Sequence, residues 1–167
     1  ASSAASDVYK RQVTVLFTDI VGFTARTETM GAAAAARFLN DHFALVTACI
    51  EREGGIVDKY IGDAVMAVWG PLAPEADHPV RAVRAARAIA DAVRADNAGR
   101  PLPVRMRIGI HSGPAIVGNV GTPTRMNYTV VGDTVNTAQR LENLGSELLP
   151  DADVAIVLSE STARALP

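Results

Sequence analysis

"IVDKYIGDAVMAVWG", residues 56–70, decides how this 167-residue chain folds. Two β-rich runs, "IVDKY" and "AVMAVWG", flank an Ile-Gly-Asp, and two strands joined through Gly-Asp read as a tight hairpin. Upstream, from about Gly31 to Glu53, Leu39, Phe43, Val46 and Ile50 form one apolar stripe at helical spacing, and Gly54-Gly55 ends it. Downstream, Pro79 can open a second helix that carries Val83, Ala86, Ala90 and Val93 to about Asn97. Further out on either side lie "VTVLFTD", a buried strand over 13–19, and "VRMRIGI", whose alternation reads as a half-exposed strand. The order strand, helix, hairpin, helix, strand is the split βαβ pattern of an α+β, ferredoxin-like βαββαβ core. After it come "AIVGNV" and "NYTVV", two strands joined by the Gly-Thr-Pro-Thr turn. A helix over about 134–144, a last strand "DVAIVL" and a final helix capped by Ser159 complete the chain.

Length and composition narrow the field. A chain of this size is one domain able to bury a core without staples. Nearly half of it is apolar, but no stretch approaches the ~20 consecutive apolar residues of a membrane span, so no membrane contact is expected. The net charge of −2 argues against nucleic acid as a partner. The single cysteine, Cys49, suits a reducing cytoplasm and reads as a small core residue. Residues 1–12 show no apolar periodicity and look like a translated scar or disordered leader, so they are set aside from the fold. Lys59 is then the one lysine of a domain otherwise supplied with arginine, which suggests that a compact ammonium is needed there.

Two groups of residues carry candidate chemistry. In a ferredoxin-like sheet the first strand lies beside the hairpin, which brings Asp19, at the strand tip in "FTDIVGFT", to the same edge as Asp63 in the hairpin turn. Two carboxylates there suit a divalent cation, and the backbone amides of Ile20, Val21, Gly22, Phe23 and Thr24 suit a phosphate. The alternative is a capped strand end and an ordinary turn. On the helix after Thr134, Asn136 and Arg140 are four apart and share a face. An amide beside a guanidinium suits a sugar or polyphosphate, and the alternative is a solvated polar face. Asp133 reads as that helix's N-cap. His42 and His111 read as structural, and Trp69 and Phe43 as core.

Taken together, "VTVLFTDIVGFT", "DKYIGDAVMAVWG", "RIGIHSGPAIVGNVG" and "NYTVVGDTVNTAQRLE" resemble the catalytic domain of the class III adenylate and guanylate cyclases. The four blocks stand in the family's order and cover nearly all of the chain from residue 13. The resemblance implies the nucleotide cyclase fold and a domain over 13–167, truncated at its C-terminal end because family domains continue past Leu166 through a closing strand pair. It implies that Asp19, Asp63 and the backbone of Ile20 hold two Mg²⁺ or Mn²⁺ ions per site, and that Ile20 to Thr24 bind phosphate. Lys59 and Thr129 then read the purine, Asn136 orients the ribose, and Arg140 offsets charge on the α-phosphate.

An ammonium at Lys59 can donate to adenine N1, whereas guanine presents a donor there, so ATP is favoured over GTP. The implied reaction is ATP to 3′,5′-cyclic AMP and pyrophosphate, for intracellular signalling. The implied assembly is a homodimer with two shared active sites, each taking Asp19 and Asp63 from one chain and Lys59, Thr129, Asn136 and Arg140 from the other. The alternatives are a guanylate cyclase or an inactive cyclase-like module that dimerises or binds nucleotide.

Overall fold

The computed structural model describes the backbone of residues 8–122 and 125–167 and the side chains of 8–119 and 128–167. The elements follow as β1 (Val8–Ile20), α1 (Phe23–Glu28), α2 (Ala32–Arg52), β2 (Ile56–Ile61), β3 (Ala64–Trp69), α3 (His78–Asn97), β4 (Met106–Thr122), β5 (Arg125–Val131), α4 (Asp133–Leu148), β6 (Val154–Leu158) and α5 (Glu160–Arg164). The strands make one sheet in the order β2-β3-β1-β4-β5, with β6 added beside the first half of β4. β6 runs parallel to β4, and the other pairings are antiparallel. The expected βαββαβ core is therefore present, with β5, α4, β6 and α5 built on.

The apolar run of β1 is continuous because both faces of the sheet are covered. Leu16 and Ile20 join Val46 and Ile50 of α2 and Ala86 and Ile89 of α3 in one core. Val13, Val15 and Phe17, pointing the other way, join Met66, Val68, Val130 and Ala138 of α4 in a second. Trp69 is fully buried and donates from Nε1 to the Glu53 carbonyl at 3.1 Å, as a core indole should. Phe43 stacks on Tyr60 at 4.2 Å between centroids, and His42 is buried in α2.

Several expectations change. Val8–Gln12, set aside as leader, extend β1 and pair with β4 from Gly118 to Pro114. "VRMRIGI" and "AIVGNV", expected as separate strands, are one, because β4 runs unbroken from Met106 to Thr122; the Gly-Thr-Pro-Thr turn expected before β5 falls partly on residues 123–124, which lie outside the described residues. β4 is also less exposed than its alternation implies. A Cβ on Gly109 would come within 2.2 Å of the Glu142 amide nitrogen and 2.4 Å of the Ala138 carbonyl, so a glycine lets α4 lie directly on the strand. Asp133 does not cap α4: Gly132 (φ 139°) is the N-cap and Asp133 the first helical residue. Ser159 does cap α5, accepting from the Thr162 amide at 3.3 Å.

Candidate active site

The tip of β1 and the β2–β3 turn meet as the sequence foresees. β1 pairs with β3 up to Thr18 opposite Val65, which carries Asp19 past the end of the ladder toward Asp63. The Asp63 carboxylate accepts the Ile20 amide at 2.8 Å. The hairpin reverses through Gly62 at φ 60°, a left-handed conformation a glycine takes without strain. The Val21 amide donates to the Arg105 carbonyl at 2.9 Å. Two of the five amides expected to cradle a phosphate are thus already bonded within the chain. Those of Gly22, Phe23 and Thr24, where Gly22 (φ 68°) leads into α1, take no backbone acceptor among the described residues.

Two further side chains complete this edge, and sequence reading did not single them out. Arg107 sits opposite Asp19 in the β1–β4 ladder and grips its carboxylate with both arms, Nε to Oδ1 at 3.0 Å and Nη2 to Oδ2 at 2.8 Å. Its remaining Nη1 donates to Ser146 of α4 at 2.6 Å. Glu142 is 4% exposed, turned inward over Gly109 where α4 touches β4. Burial pushes its carboxyl well above the ordinary range, and a hydrogen bond with Asp19 and the charges of Asp19 and Asp63 push the same way against Arg107. Arg107 was legible as the register partner of Asp19 once β1 and β4 were paired, whereas Glu142 depends on the depth at which α4 packs.

The donor set suits a hard divalent cation. Among the described residues no three His, Cys, Asp or Glu side chains gather into a ready-made cage. Two carboxylates at a sheet edge beside free amides are instead the arrangement by which Mg²⁺ is usually held together with substrate phosphates.

The other predicted residues lie apart from this edge. Asn136 and Arg140 share the exposed face of α4, and the Arg140 side chain is 70% exposed, with Asp133 4.0 Å away. Ala138 and Glu142, two residues along from each, face the sheet. At about 100° per residue the two pairs point to opposite sides of the helix. The structure therefore does not bring Arg140 to Asp19 within this chain. Lys59 is exposed on β2, its Nζ 3.3 Å from Asp58. Thr129 is half-buried on β5. Its neighbour Tyr128 donates to the Pro71 carbonyl, in the loop after β3, at 3.0 Å. Burial raises that phenol's pKa, and the charge of Asp58 acts the same way against that of Arg11.

The sequence matches the family described as adenylate and guanylate cyclase catalytic domain over residues 7–167. The chain belongs to that family. The adenylate cyclase of Anabaena cylindrica is 37% identical over 159 residues, 93% of this domain and 31% of that protein. Adenylyl cyclase CyaB from P. aeruginosa superposes with a TM-score of 0.84 at 31% identity, covering 95% of this chain and 82% of that one. The guanylate cyclase domain of RhGC from Catenaria anguillulae, solved in complex with GTP, superposes with a TM-score of 0.82 at 31% identity, covering 94% and 83%. The chain spans less than a third of the length of the curated relatives it matches. Among its described residues no helix is long and apolar enough to cross a membrane.

Proposed function

We propose that this cyclase domain is an adenylate cyclase catalytic unit that turns ATP into 3′,5′-cyclic AMP and pyrophosphate in the cytoplasm, working as a homodimer with two shared sites. The observation that carries the shared site is the geometry of α4. The face that bears Glu142 closes on Asp19, so Asn136 and Arg140, on the opposite face, serve the Asp19–Asp63 edge of a second copy. ATP is favoured because the exposed ammonium of Lys59 matches the acceptor at adenine N1, while the Thr129 hydroxyl accepts from the exocyclic amine.

In the reaction the ribose 3′-oxygen bonds to the α-phosphorus, the bond from that phosphorus to the pyrophosphate oxygen breaks, and the hydroxyl proton passes to solvent. Two Mg²⁺ or Mn²⁺ ions, held by Asp19, Asp63 and the Ile20 carbonyl, supply Lewis acidity toward the 3′-hydroxyl and charge compensation for the pyrophosphate. The free amides of Gly22, Phe23 and Thr24 bind phosphate oxygens. Asn136 orients the ribose. Arg140 meets the negative charge that grows on the α-phosphate, where a preplaced cation contributes most. Arg107 holds the Asp19 carboxylate in place.

The second reading, a guanylate cyclase, draws on the comparable likeness to a domain solved with GTP. Supplying purified protein with ATP or GTP and Mn²⁺, and following cyclic product, separates the two. The expected result is cyclic AMP formed with the higher kcat/KM. Cyclic GMP as the preferred product would replace the proposal with the second reading.

A further inference from the structure

The β2 strand is irregular at one point. Val57 pairs with Ala67, but the next pair is Lys59 with Met66, so Asp58 is an extra residue in the ladder. The consequence follows from the two-residue period of a strand. Ala67 and Val65 face the core under α2 and α3, and Met66 faces the other side of the sheet. In an unbroken β2, Asp58 would stand opposite Met66, and Lys59 opposite Val65 against the α2–α3 core. The bulge moves Lys59 to the Met66 side and gives the position opposite Val65 to Tyr60. Tyr60 is anchored there, stacked on Phe43 at 4.2 Å and hydrogen-bonded to Thr47 at 3.1 Å.

The extra residue is a carboxylate. The Asp58 side chain is 5% exposed, and its Oδ2 lies 3.3 Å from the ammonium of Lys59, whose side chain is 49% exposed. Neighbouring residues of a regular strand point to opposite faces, so this contact exists because of the bulge. The Tyr128 phenol, next to Thr129, also feels the Asp58 charge. A nearly buried carboxylate thus adjoins the lysine assigned to the purine, with the long lysine stem tethered at its tip.

We propose that Asp58 is a specificity-determining positioning residue: held in the β2 bulge, it fixes the Lys59 ammonium where it donates to the base, and so sharpens the choice of ATP over GTP. This rests on the reading of Lys59 as the base-reading group. A flexible lysine loses rotamer freedom when it binds, and a fixed counter-charge removes part of that cost in advance.

The test measures the ratio of kcat/KM for ATP over GTP with Mn²⁺, and independently the competition of the two nucleotides for a bound fluorescent nucleotide. Asp58→Ala lowers the ratio about tenfold, chiefly through the KM for ATP, with GTP little changed. Asp58→Asn, which keeps the shape and one acceptor, falls between wild type and alanine and remains informative if the alanine variant does not fold. In a Lys59→Met background Asp58→Ala adds nothing further to the ratio, because the two act as one unit. Equal losses for ATP and GTP, in both the alanine and the asparagine variant, would overturn the proposal and leave Asp58 a structural residue, and so would an undiminished effect of Asp58→Ala on the ratio without Lys59. A Lys59→Met enzyme with wild-type selectivity would remove the base-reading role itself, and this proposal with it.

Discussion

The two halves of the site are built to different standards within one chain. At the Asp19–Asp63 edge the charged side chains are engaged: Asp19 by both arms of Arg107, Asp63 by the Ile20 amide, and Arg107 onward to Ser146. On the outer face of α4, Arg140 is 70% exposed with one carboxylate at 4.0 Å, a separation at which an exposed pair contributes little. The first half is preorganised by strand register and by the seat of α4 on Gly109. The second is a pair of exposed side chains on one face of α4. That contrast is what the proposed shared site requires, in which the exposed half gains its surroundings from a second copy.

The most severe way to break the comparison is to remove the charge of the preorganised half. Asp19→Asn and Asp63→Asn keep size but lose the negative charge proposed to hold the cations. Each is expected to abolish cyclase activity, measured with saturating Mn²⁺. Asp19→Asn also leaves Arg107 facing a neutral amide, a loss of about 1–3 kcal/mol of stability, so thermal melting accompanies the assay. More than a tenth of wild-type turnover in either folded variant would show that the carboxylates do not bind the metals.

An intermediate effect tests whether the exposed half serves another chain. Asp19→Ala and Arg140→Ala are each expected to be inactive alone and to recover activity when mixed. The mixed dimer carries one doubly damaged site and one intact one. With random pairing half the dimers are mixed and each has one of two sites working, so recovery approaches about a quarter of wild type. No recovery after demonstrated subunit exchange would return Asp19 and Arg140 to a single chain's site.

What the sequence made legible follows the same division. The meeting of Asp19 and Asp63 could be foreseen because it depends on topology and a Gly-Asp turn, both local signals. Asn136 and Arg140 were legible as one helix face for the same reason. Arg107 was read as the exposed side of an alternating strand, since alternation does not reveal that α4 covers β4. Glu142 was hidden because its burial depends on Gly109, more than thirty residues away in the chain. The bulge at Asp58 leaves no mark on the hydrophobic pattern, because Lys59 and Tyr60 each suit either side of a strand until the register with Met66 and Val65 is known.

The smallest effect separates the site from the scaffold that carries it. His42, on α2 beneath the sheet, is 5% exposed, and its Nε2 has no hydrogen-bond partner among the described residues. Burial holds its imidazole down from 6.5 to about 4, with the Arg100 charge acting in the same direction. The neutral ring is therefore the form the fold accommodates. As pH falls below about 6.5 the unfolded chain takes up this proton while the folded one does not, and stability drops until the folded ring is also protonated near pH 4. Over that window the loss from this one group is about 3 kcal/mol. His42→Leu removes the titration, so urea melts at pH 7 and pH 4 are expected to differ less in the variant than in wild type by about that amount, with no change attributable to the ring above pH 7. An equal acid loss in both proteins would assign the sensitivity to groups other than His42.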